Sequence, residues 1–163
     1  MSRFLAPRHG AIRPYTPGEQ PRDREYIKLN TNESPYPPAP GVLEAINPQA
    51  VSELMLYSDP EARALHQAIA DHYQLDRNQV LAGNGSDEIL AFAFQAFCDA
   101  GHPVAFPDIS YGFYPVFAQI YGIPARVIPL DERFQVRAAD YFDSGAMVVI
   151  ANPNAPTGQY LEL

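Results

Sequence analysis

The chain has 163 residues, 47% of them hydrophobic, enough for one domain of ordinary size around a real core. Asp and Glu number 19 against 11 Lys and Arg, so the formal net charge is -8 and no broad positive field exists to hold a nucleic-acid backbone or an anionic membrane surface. A single cysteine, Cys98, excludes an intrachain disulfide, and neither a signal-like leader nor a run of about 20 apolar residues occurs, so a soluble cytoplasmic protein is expected.

The first 45 residues hold eight of the 17 prolines. Each proline removes a backbone donor and disfavours helix in its predecessor, so this segment is expected to run extended over a surface as an arm. One short strand is predicted near Tyr26 to Leu29. Tyr15, Tyr26, Ile27, Leu29 and Tyr36 give the arm apolar groups to bury, which a solvated linker usually lacks.

From Val42 the pattern alternates between helix and strand. In EARALHQAIADHYQL, Ala62, Leu65, Ala68, Ile69 and Tyr73 recur at three- and four-residue spacing and predict a helix of about four turns with one apolar stripe. Gln79 to Ala82 reads as a short buried strand. Ser86 to Cys98 follows as a helix apolar nearly all round and therefore central. Val104 to Phe106 is predicted as a strand, Phe113 to Tyr121 as a helix and Arg126 to Pro129 as a strand. Ala138 to Phe142 is predicted as a short helix and Met147 to Ala151 as a fully buried strand. Strands that alternate with helices pair in parallel through crossovers, which implies a layered α/β sheet. After the last strand and the loop NPNAPTGQ only Tyr160 to Leu163 remain, so a portion of a longer protein is expected.

Three stretches carry candidate chemistry. In VLAGNGSDEIL, at Val80 to Leu90, two glycines, a hydroxyl and an acid stand between two apolar runs. The first amides of a helix have no intrahelical partner and the aligned peptides place about half a positive charge there, so an anion is well received. Gly83 and Gly85 allow close backbone approach, and Ser86 adds a hydroxyl, a combination suited to a phosphate. Equally, Ser86 reads as a plain helix cap, with Asp87 and Glu88 complementing the dipole. The stretch is no dinucleotide fingerprint, because Glu88 replaces the third glycine of G-x-G-x-x-G, and no P-loop, because no G-K-[S/T] occurs.

The loop NPNAPTG follows the last strand, at the carboxyl edge where α/β sheets bind ligands. Asn152, Asn154 and Thr157 there either bond a ligand oxygen or bond their own backbone in a proline-locked turn. DISYGFY follows the strand VAFP and brings Tyr111 to the same edge, to stack on a flat ring or to cap the core. All three signals fall on one edge. The four histidines lack metal-like spacing, and no G-x-S-x-G elbow appears.

The ordered series LNTNESPY, LYSDPEARALHQAIA, GNGSDEIL, FPDISYGFY and NPNAPTG resembles the first half of the fold-type I pyridoxal-phosphate aminotransferases, most closely the histidinol-phosphate aminotransferases, over essentially the whole chain. The resemblance implies an incomplete three-layer large domain at residues 46–163, preceded by an arm at 1–45 that belongs to the small domain. It implies pyridoxal 5′-phosphate as cofactor, its phosphate held around Gly85, Ser86 and Asp87 and its ring stacked on Tyr111. Tyr57, in LYSD, resembles the tyrosine that reaches the cofactor phosphate of a partner subunit, which implies a homodimer. Tyr15, in RPYTPG, looks like the arm tyrosine that contacts the substrate phosphate, and Asn32, in LNTNES, belongs to the arm segment near the substrate. The implied reaction moves an amino group between a phosphorylated amino alcohol and a 2-oxo acid, in histidine biosynthesis.

Two departures qualify that likeness. The family commonly places an asparagine directly before Pro-Thr-Gly to bond the phenolic oxygen of the ring; here the position is Ala155, and Asn154, one residue earlier, is the candidate for that contact. Members also carry a lysine that binds the cofactor covalently and shuttles a proton. The one lysine here, Lys28, lies outside any matching motif and reads as a surface residue, so the chain alone is expected to be inactive and no catalytic residue is assigned. Two other readings stay open: a decarboxylase of a phosphorylated amino acid, and a non-catalytic module that binds a phosphate ligand.

Overall fold

A computed structural model describes residues 4–6, 9, 10, 12, 18, 19 and 21–162. The chain divides into two units, Pro17–Ala82 and Gly83–Leu163 with Met1–Thr16.

In the first unit the backbone is mostly extended or turned. Helices α1 (Pro40–Ala45) and α2 (Pro48–Ser52) each begin on a proline, whose missing N–H costs nothing at a helix start. Asn47 caps α2 by accepting from the Ala50 amide at 3.0 Å. Helix α3 (Arg63–Tyr73) starts beside Asp59, whose carboxylate accepts from the amides of Arg63 and Glu61 at 3.0 and 3.2 Å. Those bonds, the Arg63 amide first, hold the Asp59 carboxyl below its ordinary value. The helix ends at Gln74, in the left-handed region at φ 56°, where the Leu75 amide turns back to the Ala70 carbonyl at 2.9 Å.

Two strands predicted in this unit are absent. Residues 26–29 form no ladder, because no strand among the described residues lies beside them. Ile27 and Leu29 are 90% and 92% exposed, so the arm does not bury them within its own unit. At 79–82, Asp76 and Gln79 form a capping box that winds Arg77–Gln79 into a 3-10 turn, and the Ala82 amide donates to His66 Nε2 at 3.2 Å. Its donor is thereby used by a side chain, not by a ladder.

The second unit contains the sheet. Strands β1 (Val104–Pro107), β2 (Ala125–Ile128) and β3 (Met147–Val148) are parallel in the order β2-β1-β3, with Val104 opposite Ala125 and Met147. The central strand VAFP is buried throughout, which explains its unbroken apolar run. Helix α4 (Ser86–Phe97) precedes β1 and α5 (Tyr114–Tyr121) links β1 to β2. Phe94 of α4 meets Phe117 of α5 at 5.3 Å between ring centres, and Cys98, Val104, Phe106, Tyr114, Ala118 and Ile123 complete the core. Helix α5 stops at Gly122, φ 68°, where the amide of Ile123 returns to the Ala118 carbonyl at 2.8 Å.

Here too the structure revises some expectations. Helix α4 buries one face only; Phe92 and Phe97 are exposed, although the helix is apolar nearly all round. The strand predicted at 147–151 pairs only at Met147 and Val148, with one further bond from the Val149 amide to Ala105 at 2.9 Å, and it is half-buried. It has β1 on one side and no strand among the described residues on the other. The predicted helix at 138–142 is a single 3-10 turn at Ala138–Asp140. No described helix is long and apolar enough to cross a membrane.

Candidate functional site

Because α4 runs into β1 through a short loop, its amino end returns to the carboxyl end of the sheet, where the loops after β1 and β3 also lie. Gly85 occupies the cap position of α4 at φ 84°, a conformation that residues with a side chain rarely adopt. No side chain among the described residues caps this helix, and a Cβ added at Gly85 would meet nothing within 4 Å. The turn is therefore an open cup, lined by the uncapped first-turn amides and the exposed Ser86 hydroxyl. Glu88 reaches back to accept from the Asn84 amide at 2.7 Å, and the Gly85 amide donates to the Gly83 carbonyl at 3.0 Å, which closes the turn behind the cup. Gly83 is tight for a different reason: a Cβ there would lie 2.7 Å from Ile89 Cδ1.

Tyr111 reaches this cup. Its hydroxyl donates to Asp87 Oδ1 at 2.8 Å, and its ring packs edge-on to Tyr114 and stacks on Phe113, with centres 5.6 and 6.3 Å away. Asp87 thus presents its carboxylate to Tyr111, while its backbone amide remains part of the helix start. Burial pushes the Tyr114 phenol up from its ordinary range, partly offset by the nearby Ser110 hydroxyl. It stays protonated at neutral pH.

The loop after β3 is joined to the loop after β1 by Asn154, which is 3% exposed. Its Oδ1 accepts from Ser110 Oγ at 2.7 Å, and its Nδ2 donates to the Ile109 carbonyl at 2.9 Å and to Thr157 Oγ1 at 3.1 Å. Both amide hydrogens are thus committed within the protein. Asn152 makes a different link, pairing with the backbone of Leu161 through both amide ends at 2.8 and 3.0 Å. A small cavity of about 120 Å³ lies behind this loop, lined in part by Asn152, Asn154 and Tyr160.

Gly85, Ser86, Asp87, Tyr111 and Asn154 accordingly fall within one unit, at one edge of its sheet. Tyr57 and Asn32 belong to the other unit: Tyr57 is fully exposed, and Asn32 sits in a turn at φ 53°. Tyr15 lies outside the described residues. Sequence reasoning missed Ser110 and Asp108. The Asp108 carboxylate accepts from the amides of Ile109 and Leu130 at 2.9 and 3.0 Å, tying the ends of β1 and β2 together. A short polar side chain directly after a buried strand was the available signal. Among the described residues no cluster of His, Cys, Asp and Glu could hold a metal ion.

Comparison with known proteins gives a consistent picture. The profile of the family described as aminotransferase class I and II matches residues 24–163. The chain is 51% identical over 164 residues to the histidinol-phosphate aminotransferase of Marinomonas sp. (strain MWYL1), a match that covers all of this chain and 46% of that protein. It is 52% identical over 163 residues to the protein of the same name from Acetobacter pasteurianus, again over all of this chain and 46% of the relative. Among solved structures, histidinol-phosphate aminotransferase from Sinorhizobium meliloti in complex with pyridoxal-5′-phosphate superposes with a TM-score of 0.69 at 30% identity, over 77% of this chain and 35% of that one. The chain spans about half the length of the curated relatives it matches.

Proposed function

Because the chain belongs to the aminotransferase class I and II family, we propose that it forms the amino-terminal part of a pyridoxal 5′-phosphate-dependent histidinol-phosphate:2-oxoglutarate aminotransferase. The observation that carries this reading is the bond between Tyr111 and Asp87. It joins an aromatic ring to a helix start that receives anions, and the cofactor is a flat ring that carries a phosphate. The residues present fit that group: the cup has open space where a side chain at Gly85 would stand, uncapped amides and the Ser86 hydroxyl.

In this reading the amides around Gly85, Ser86 and Asp87, with the Ser86 hydroxyl, hold the phosphate, and the Tyr111 ring supports the pyridine face. When bound, the cofactor supplies the electron sink that amino-group transfer requires. Tyr57 serves the cofactor of a second subunit in a homodimer, a role its full exposure permits, while Asn32 and Tyr15 serve the substrate. Lys28 takes no part in the chemistry; it is ion-paired with Glu33 at 2.5 Å on the arm. The amine that must move a proton at the substrate carbon comes from elsewhere in the complete enzyme.

Two measurements test the reading. Pyridoxamine 5′-phosphate, which cannot condense with an amine, is expected to bind this chain at least roughly tenfold more tightly than pyridoxamine, the gain expected of a phosphate at a helix start. Equal affinity for the two would place the phosphate cup elsewhere. A fusion of this chain to the carboxyl-terminal remainder of the Marinomonas relative is expected to form glutamate from 2-oxoglutarate and histidinol phosphate. Carbon dioxide release from a phosphorylated amino acid, without glutamate, would instead favour the decarboxylase.

A further inference from the structure

We infer that Asn154 is a positioning residue, which sets the cofactor ring through Ser110 and Tyr111 and does not touch it. The inference rests on the cofactor reading above. Asn154 is the one buried residue of polar type among the described residues, and a buried amide is tolerated when its groups are bonded. Its donors are fully used, by the Ile109 carbonyl and Thr157 Oγ1, and its oxygen holds the Ser110 hydroxyl. Its backbone is held as well: the amide donates to the Gln159 carbonyl at 2.8 Å, and its carbonyl accepts from Gly158 at 2.6 Å.

The side chain therefore bridges the loops that leave two adjacent strands, β1 and β3. Ile109 and Ser110 immediately precede Tyr111, so two of the three side-chain bonds fix the main chain and side chain that lead into the aromatic platform. Asp87 fixes the far end of the same ring at 2.8 Å. Tyr111 is thus clamped from the helix side by Asp87 and from the loop side by Asn154. The residue type follows from the partners. Aspartate would set a carboxylate oxygen against the Ile109 carbonyl, and alanine would leave that carbonyl and the part-buried Ser110 hydroxyl without their partner. A direct bond from the amide to a ligand oxygen would take a hydrogen away from Ile109 or Thr157.

Hydrogen exchange on the ligand-free chain reads the clamp. Asn154→Ala and Ser110→Ala are each expected to speed amide exchange at residues 109–113 by about tenfold, the effect of losing roughly one net hydrogen bond, while the amides around Phe94 keep their rates. Faster exchange confined to residues 152–159 overturns the inference. Titration with pyridoxamine 5′-phosphate reads the consequence. Asn154→Ala is expected to weaken binding roughly tenfold when Tyr111 is present and hardly at all in a Tyr111→Ala background, with inorganic phosphate binding unchanged. Equal losses in both backgrounds mark a direct contact and overturn the inference. Ser110→Ala, which removes one hydroxyl, carries both measurements if Asn154→Ala fails to fold. Binding that is normal while the exchange effect is missing sinks this inference alone; a chain that takes up no pyridoxamine phosphate sinks the cofactor reading and the claim on the ring with it.

Discussion

In Gly83–Leu163 the aromatic side chains of two helices face one another over a buried strand, whereas in Pro17–Ala82 Ile27, Leu29, Tyr36, Leu54, Met55 and Tyr57 are exposed and, among the described residues, only Ala70 is buried. Both units are rich in apolar residues. The difference lies in what the backbone can do. A sheet or a long helix collects apolar side chains onto one surface, which another such surface can cover. Prolines spaced every few residues, and helices of five and six residues, collect nothing. Apolar composition makes a core only where regular structure aligns it.

The sharpest test of that contrast is a pair of truncations. Phe94→Ala, at a fully buried site, should lower the unfolding free energy by about 3–5 kcal/mol, whereas Met55→Ala, 86% exposed, should change it by less than about 0.5 kcal/mol. Urea unfolding of the two variants measures both, and comparable losses would break the comparison. Within the better-packed unit, Gly85→Val separates strain from sterics. Nothing lies within 4 Å of the added Cβ in the ligand-free chain, so the expected loss of about 1–3 kcal/mol in unfolding free energy is conformational, arises from φ 84°, and is read by urea unfolding without ligand.

Tyr141 marks an imperfection in the same unit. Its ring is 6% exposed, but its hydroxyl is buried without a hydrogen-bond partner among the described residues. Burial, with the nearby Asp108 and Asp140, pushes the phenol up to about 12. The folded state therefore holds this proton more tightly than the unfolded chain. The resulting stability is fully present below about pH 10, the ordinary phenol range, and is lost as pH rises toward 12. Tyr141→Phe is expected to remove that alkaline loss and to raise stability at neutral pH by about 1 kcal/mol, because it deletes an unbonded polar group. Thermal melts at pH 7 and above 10 decide it. The smallest effect belongs to the other unit: Gln74→Gly relieves a left-handed residue at the end of α3 and should stabilise the chain by about 0.5 kcal/mol. No gain there would mean that α3 is not held by its own termination.

The elements most legible in the sequence were those whose apolar pattern matched their surroundings. The strand at Val104 and the helix at Tyr114 lie within a residue of expectation, and the parallel pairing of β1 with β2 follows from alternation with helices. The strand expected at 79–82 failed because a capping box and a histidine acceptor, sixteen residues away, offered the backbone other partners. At the site, the glycine turn before α4 was legible because a helix start needs special backbone locally. Tyr111 was legible as an aromatic residue at the sheet edge, but the bond that brings it to Asp87 was not, since the two are 24 residues apart.

Local chemistry alone determined where α3, α4 and α5 lie, that the strands between helices pair in parallel, and that two loops rich in turn residues stand at one edge of the sheet. These are properties of neighbouring residues: proline and glycine torsions, capping groups, and periodicity. Only the tertiary structure decided what Asn154 does. An asparagine in a proline-rich loop has four hydrogen-bonding positions and no preference written into its own sequence, so its role is set by which groups the fold carries to it: Ser110 and Ile109, 44 and 45 residues earlier in the chain.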